Sequence, residues 1–294
     1  MLFDSGLTAL ACFVTLALCS TSDDSSKPVD GNQVLLSIDN DQLSGTTLRA
    51  CIAAPNCETY ESDHGTRIRF RAGHEPGSAA FKQRFGTNND TISVPLPGEN
   101  VPKIAAPRKS DGVNTNIDMS DTKILYGSTK PYDALHNIWD HCGQSSCDTH
   151  PFTVDTTSVR GIGQGNSMEE GSTLTITADG QYNGYGERAA YIPVILVAST
   201  QGLTARRENW RFTAKGDDVE TGSVTVYTQT DYIGVNKFAG GALQGFIHVS
   251  VDQAQEKSSG WCATASQTFA AVLGAVEPIS AAFFGLIGVY CAGA

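Results

Sequence analysis

The densest group of chemically reactive side chains lies in the stretch WDHCGQSSCDTHPF, residues 139–152. It contains two cysteines, Cys142 and Cys147, and two histidines, His141 and His150. Thiolate and imidazole groups are common zinc ligands, and a Cys–His pair can also supply a nucleophile and its base. Two cysteines this close in sequence can instead form a disulfide. The stretch is therefore compatible with a metal site, a catalytic pair or a small closed loop.

The spacing of these residues favours the closed loop. Structural zinc sites usually draw ligands from two separated knuckles, whereas the histidines here flank a single Cys-x4-Cys pair. A catalytic thiol needs a base within hydrogen-bond reach and a lowered pKa, and the sequence gives evidence of neither. We predict a disulfide-stapled corner between a helix and a strand that begins near Phe152. The alternative is a zinc site made by His141, Cys142, Cys147 and His150.

The cysteine pattern as a whole is typical of an oxidising compartment. The chain has eight cysteines, and six of them fall into three local pairs. The candidate disulfides are therefore the pairs Cys51/Cys57, Cys142/Cys147 and Cys262/Cys291. Asn89 begins the single Asn-x-Thr sequon and is the glycosylation candidate. These features predict an extracellular or cell-surface protein, with a virion as the alternative location.

The first 32 residues divide into an apolar and a polar part. Residues 1–19 are a signal-like apolar segment, with a plausible cleavage point before Ser20, and residues 20–32 are a polar linker. The segment departs from a usual signal peptide because no Lys or Arg precedes Lys27. It is interpreted as a cleaved signal or as a retained N-terminal helix that is buried or touches a membrane.

The charge distribution bears on the class of partner. The formal net charge is −11, whereas nucleic-acid-binding proteins are usually basic, so nucleic acid is expected only as a packaged polyanion. Residues 67–109 nevertheless contain eight basic and three acidic side chains. Arg67, Arg69 and Arg71 alternate with Ile68 and Phe70, which predicts a strand with an arginine face. That face is interpreted as a solvated surface or as a polyanion contact.

Residues 33–258 are predicted to form one domain of about ten strands. Period-2 alternation of apolar residues recurs in segments such as STLTITAD and GFIHVSVD, and glycine-rich turns separate them. His248 lies on the face opposite Ile247 and Val249, so it should point to solvent or to a second layer. The apolar run YIPVILVAS is predicted as a strand buried on both faces. The expected fold is mainly β, an antiparallel β-sandwich or jelly-roll-like domain.

Two segments have a helical pattern. YDALHNIWDHC is predicted as one short central helix. Residues 259–294 are predicted as an apolar helical tail, although Pro278 should break or kink a helix there. Three roles are compatible with the tail: a buried hairpin stapled by Cys262 and Cys291, a membrane-active or anchoring segment, and a packing element between subunits.

The sequence contains no motif that predicts an enzyme or a cofactor. G-x-S-x-G, H-E-x-x-H and Walker sequences are absent, and no histidine has an evident nucleophile as its partner. The glycine-rich RGIGQGN is followed by a turn and strand pattern, so it lacks the helix N-terminus that a phosphate loop needs. We expect no cofactor and no catalytic residue, although carboxylates brought together from distant strands would escape this search.

The order of segments resembles that of small icosahedral virus shell proteins. The resemblance rests on an N-terminal segment, a ten-strand region ending in GGALQGFIHVSVD and an apolar tail, and it includes no diagnostic motif. Many such proteins carry a basic N-terminal arm, whereas the first 26 residues here have no Lys or Arg.

Three functions follow as hypotheses from these features. The first is a non-enzymatic extracellular or surface protein that binds another protein or a glycan, or that self-associates. The second is a self-assembling jelly-roll capsid or shell subunit, as the resemblance implies. The third is a pore-forming or membrane-active protein that contacts the bilayer through residues 263–294.

Overall fold

The computed structural model describes residues 46–63, 65–86, 114–214, 218–253, 255–256 and 286–292, all within one compact unit, Asn32–Ala294. These residues form a mainly β structure with one sheet of ten strands and one of two. The strands of the small sheet are β1 (Cys57–Ser62) and β2 (Gly65–Phe70). The strands of the large sheet are β3 (Asn114–Ser120), β4 (Lys123–Gly127), β5 (Phe152–Gly163), β6 (Asn166–Gln181), β7 (Thr204–Thr213), β8 (Val219–Thr230), β9 (Tyr232–Ala239), β10 (Ala242–Asp252), β11 (Gln255–Glu256) and β12 (Leu286–Ala292).

The large sheet has the order β11-β4-β8-β7-β6-β10-β9-β3-β12. Strand β5 pairs with the edge of β6 that lies opposite β10. All described pairings are antiparallel except that of β12 with β3, which is parallel. The prediction of a mainly antiparallel β protein is therefore confirmed. The helices are α1 (Thr46–Ala53), α2 (Ala79–Phe85), α3 (Pro131–His136), α4 (Ile138–His141) and α5 (Gly184–Ala198).

The centre of the large sheet is covered on both faces. Successive side chains of a strand point to opposite faces, and in β10 Ile247 and Val249 join a different core cluster from Phe246. The cluster of Ile247 includes the buried side chains of α3, α4 and α5. The cluster of Phe246 includes residues of α1, β1, β2 and α2. The helices α3–α5 and the small sheet therefore cover opposite faces of the large sheet.

The apolar run YIPVILVAS belongs to a helix, so its prediction as a buried strand is wrong. Helix α5 begins at Gly184, seven residues before the run starts at Tyr191. Most side chains in the last turns of α5 are buried. A helix that is buried on all sides has a continuous apolar sequence instead of a periodic one. Pro193 lies inside the helix.

The two predicted helical segments also need correction. YDALHNIWDHC forms two short helices that meet at Asn137, whose side-chain amide donates to the Ala134 carbonyl at 3.2 Å. In the predicted helical tail, residues 286–292 form strand β12. The rest of the tail, residues 259–285, lies outside the described residues, as do the signal-like segment and the linker.

Two long hairpins extend from the large sheet. Strands β5 and β6 pair from Phe152 and Ile176 out to a turn at Gly163 and Asn166, which is where RGIGQGN lies. Strands β7 and β8 pair over the whole length of β7. The hairpins meet at one bridge, between Ser167 and Arg211. This geometry places four strands side by side with a cleft between the two hairpins.

Candidate functional site

The corner at residues 139–152 is a disulfide-closed turn, as predicted. Cys142 and Cys147 are bonded, and the Gly143 N–H donates to the Ser146 carbonyl at 2.8 Å. His141 stacks on Phe152, with ring centroids 3.9 Å apart. The two sulfurs are therefore not thiolates, and the His141 ring packs against the strand that follows the corner.

The zinc alternative at this corner finds no ligand set in the structure. His150 is exposed, and its backbone N–H and ring Nδ1 both contact the Asp148 carboxylate, at 3.0 and 2.6 Å. These hydrogen bonds lower the pKa of Asp148. Within the described ranges, no group of three or more His, Cys, Asp or Glu side chains could hold a metal ion.

A second disulfide joins Cys51 to Cys57, again as predicted. Two disulfides in the described part of the chain fit an oxidising environment. Cys291 lies on β12, but Cys262 and the sequon at Asn89 lie outside the described residues. The third disulfide and the glycosylation site stay predictions.

The predicted arginine face of β2 does not form a row open to solvent. Arg67 is only 6% exposed, and its guanidinium lies 3.4 Å from the centre of the Tyr232 ring. Arg69 pairs with Glu58 at 2.7 Å, and the Arg71 Nε donates to a backbone carbonyl at 2.8 Å. The prediction that all three share one solvent face is wrong for Arg67, because packing against the large sheet covers it.

A buried polar cluster lies beneath Arg67, between the small sheet and the large one. Asp118 of β3 accepts a hydrogen bond from the Thr47 hydroxyl of α1 and another from the Asn236 amide of β9, each at 2.8 Å. Burial raises the pKa of Asp118 to about 6, against smaller lowering effects from Thr47, Arg67 and Asn236. The cluster joins elements from both layers.

His248 continues the same network and is buried toward the second layer. Its Nε2 lies 2.7 Å from the Asn236 Oδ1. Because the Asn236 amide nitrogen donates to Asp118, its oxygen must accept, so Nε2 carries the proton. Burial, with a smaller effect from Arg67, lowers the pKa of His248 to about 3. The imidazole is therefore neutral, and within the described structure its Nδ1 has no hydrogen-bond partner.

A buried ion pair lies on the opposite face of the sheet. The Lys237 Nζ is 3.7 Å from the Glu187 carboxylate, which also accepts the Asn183 N–H at 2.6 Å, just before α5 begins. Burial raises the pKa of Glu187 to about 6 and lowers that of Lys237, while each charge opposes the shift of the other. This pair and the Asp118 cluster are both enclosed, which fits a role in holding layers together.

A cleft open to solvent lies between the hairpins in the described part of the chain. It has a volume of 510 Å³, within the range of small-molecule sites. Its lining consists of glycines, hydroxyl side chains, an amide, a guanidinium and one indole: Gly165, Ser167, Asn209, Trp210, Arg211, Thr221, Gly222 and Ser223. Among the described residues that line the cleft there is no carboxylate.

Trp210 owes its position in the cleft to a glycine. Gly222 is its cross-strand partner, and a Cβ at Gly222 would come within 2.5 Å of the indole Cε2. The absence of a side chain lets the ring lie over the backbone of β8. The indole Nε1 is covered there and has no hydrogen-bond partner among the described residues.

One arginine of β7, Arg211, lines the cleft, and Arg207 lies on the same face of the strand. Arg207, Asn209 and Arg211 alternate along the strand and therefore share a face. Arg207 donates through Nε and Nη2 to the Ser223 hydroxyl, at 2.9 and 2.6 Å. The exposed Arg211 guanidinium makes no hydrogen bond or ion pair with any described residue. Arg206, on the other face, pairs with Glu208 at 2.8 Å.

Sequence reasoning missed this site, although part of its signal is visible. The alternation of Arg207, Asn209 and Arg211 can be seen in ARRENWR, but the approach of Ser167 depends on the register between hairpins. The Asp118 cluster has no comparable signal, because a single acidic residue in the strand NTNIDMS does not indicate its partners.

Comparison with protein-family models, with curated proteins and with solved structures finds no match to this chain. No helix among the described residues is long and apolar enough to cross a bilayer. Of the tail assigned to membrane contact, 263–294, only 286–292 is described, so that role stays a prediction.

Proposed function

We propose that this chain is a non-enzymatic extracellular or cell-surface protein that acts by binding, with the two hairpins as its binding region. One observation carries the proposal: no described residue from Thr157 to Thr173, or from Thr204 to Thr225, is buried. Sheet strands normally bury at least one face. Ribbons of this length that pack on no core are best explained as surfaces for a partner.

The described layers beneath the hairpins support this proposal, because they are suited to act as a scaffold. The small sheet packs on one face of the large sheet, and hydrogen bonds link Thr47, Asp118, Asn236 and His248 between them. Rigid layers beneath exposed hairpins resemble the general arrangement in which a scaffold positions binding segments. The two disulfides fit secretion or display at a surface.

Assembly of identical subunits, as in a jelly-roll shell or virion, is the second candidate. It is favoured by large apolar side chains near the outer ends of the hairpins. Ile162 is 43% exposed, Met168 is 41% exposed and Val219 is 47% exposed. Apolar groups at the ends of extended ribbons are suited to contacts with a neighbouring subunit.

Trimming the hairpins tests both candidates. Replacing 158–170 with an Asn-Gly turn keeps the pair of Thr157 and Gly171, and replacing 208–224 in the same way keeps that of Arg207 and Thr225. We expect both variants to keep the wild-type far-UV circular dichroism spectrum. If the wild type self-associates in sedimentation velocity, both variants should lose that self-association. If the wild type is retained on immobilised neutral or charged oligosaccharides, both variants should lose that retention.

Two results would overturn the proposal. In the first, the wild-type signal survives both trims, so that the partner is held elsewhere on the chain. In the second, the wild type is a strict monomer at high concentration and no oligosaccharide retains it. A large closed particle in negative-stain images that disappears after trimming would instead select the assembly candidate.

A further inference from the structure

We propose that the cleft between the hairpins binds an anionic saccharide, meaning a sugar chain that carries sulfate or carboxylate groups. This inference rests on the proposed binding function and assigns its ligand class. The site consists of Arg211 and Asn209, which share a face of β7, with hydroxyl groups contributed by both hairpins; Trp210, between them in sequence, also borders the cleft.

Arg211 is the residue of the cleft best suited to bind an anion. A guanidinium presents several N–H donors in a planar fork that matches carboxylate and sulfate oxygens. In the described structure the Arg211 guanidinium has no partner, and that of Arg207 beside it contacts only a hydroxyl. The chain carries a net charge of −11, yet its described cleft has no carboxylate. An oxyanion would supply the acceptors that this donor-rich lining lacks.

The other polar residues that line the cleft are suited to a sugar. Asn209 supplies both a donor and an acceptor, and Ser167, Thr221 and Ser223 supply hydroxyls, a set suited to the many hydroxyls of a sugar ring. Trp210 also borders the cleft, but its side chain alternates with those of Asn209 and Arg211, so the sugar assignment rests on the amide and hydroxyl groups. A volume of 510 Å³ accommodates one or two sugar rings. The cleft is therefore matched in chemistry and size to a short charged saccharide segment.

A nucleic acid fits the same surface less well. Affinity for a phosphate backbone grows with the number of phosphates that the protein neutralises. On β7, Arg206 is paired with Glu208, which leaves Arg207 and Arg211 as the cations that no carboxylate neutralises. Two cations beside a compact cleft favour a localised oxyanion over an extended polyanion.

Calorimetric titrations at physiological salt test the ligand class. The probes are a sulfated heparin hexasaccharide, an oligogalacturonate, a neutral cello-oligosaccharide and a single-stranded RNA. We expect one or both anionic saccharides to bind with saturation and the neutral saccharide to bind weakly. Arg211→Gln should weaken that binding about tenfold or more, because it removes a charge-assisted hydrogen bond. Arg206→Gln, on the opposite face of the same strand, is the matched control and should bind like the wild type.

The possible results separate the ligand class from the proposed function. Equal binding of neutral and anionic saccharides, tighter binding of RNA, or equal effects of Arg211→Gln and Arg206→Gln would overturn the anionic-saccharide assignment. Binding through the hairpins would still stand in those cases if the trimmed variants lose it. Loss of retention on charged saccharides after trimming, combined with a selective effect of Arg211→Gln, would support both.

Discussion

The indole of Trp210 lies over the backbone of Gly222, its cross-strand partner, with Nε1 at 2.8 Å from the place of a Cβ. Any side chain at position 222 would therefore displace the ring. The contact fixes the indole on two paired strands, β7 and β8, beside the cleft, although neither residue lies in a core cluster. The position of the indole thus depends on the absence of one methyl group.

Gly222→Ala should push the indole out of its position and destabilise the protein by roughly 1–3 kcal/mol, the usual cost of overpacking. Thermal unfolding and the near-UV circular dichroism of the tryptophans measure the two effects. Gly171→Ala is the matched control, because Gly171 also lies in an exposed hairpin strand but a Cβ there meets nothing within 4 Å. Identical behaviour of the two variants would refute the packing of Trp210 on Gly222.

Asp118→Asn should change how stability depends on pH. The pKa of Asp118 is raised from 3.8 to about 6 in the fold, so the folded protein holds this proton more tightly than the unfolded chain. The stabilisation is fully present below pH 3.8 and is lost as the pH rises through about 6. Asparagine is never ionised and can still bond Thr47 and Asn236.

The Asp118→Asn variant should therefore match the wild type near pH 4. Above pH 7 it should be more stable, by on the order of 3 kcal/mol. Urea unfolding across this pH range measures the difference. A constant offset between the two proteins at every pH would mean that Asp118 does not titrate in this way.

His248 should act in the opposite direction. Its pKa falls from 6.5 to about 3 in the fold, so the unfolded chain binds this proton more readily. The neutral imidazole contributes stability above pH 6.5, and the contribution is lost as the pH falls toward 3. His248→Gln keeps a donor for Asn236 without the titration, so its stability should fall less than that of the wild type on acidification. Direct NMR titration of the His248 ring that gave a pKa near 6.5 would contradict this account.

The corner disulfide should contribute about 2 kcal/mol, the chain-entropy value for a loop of this size. The double variant Cys142→Ser and Cys147→Ser should lose that amount in urea unfolding. The pair Cys51→Ser and Cys57→Ser, which closes a loop of similar length, provides a comparison and should lose a similar amount. If non-reduced wild-type protein showed four alkylatable thiols at these positions by mass spectrometry, both disulfides would be refuted.

Local patterns in the sequence predicted the parts of the fold that depend on short-range chemistry. The alternation in GFIHVSVD predicted β10, and the spacing of Cys142 and Cys147 predicted their bond. Helix α5 could not be predicted in this way, because a fully buried segment has no polar face to give it a period. The available clue to a helix was the length of the segment, because α5 also includes the polar residues that precede the apolar run, from Gly184 onward.

The site depends on long-range register, which explains why sequence reasoning did not find it. Arg211 is brought beside Ser167 by one bridge between hairpins that are 44 residues apart at that point. At Arg67 a clear local pattern led to a wrong expectation. The alternation of Arg67 with Ile68 predicted an exposed side chain, but packing on Tyr232, far along the chain, buries it. Charge in a strand predicts a face, and tertiary packing decides whether that face meets solvent.

An NMR titration of the tryptophan indole signals with the sulfated hexasaccharide measures directly whether the cleft binds an anionic saccharide. The chain has three tryptophans, and Trp210→Phe assigns the signal of the cleft. We expect the Trp210 signal to move with saturation and the Trp139 signal to stay in place, and in Arg211→Gln the same movement should need about tenfold more saccharide or more. A stationary Trp210 signal at saturating saccharide, with movement confined to the other tryptophans, would contradict binding of the saccharide in the cleft.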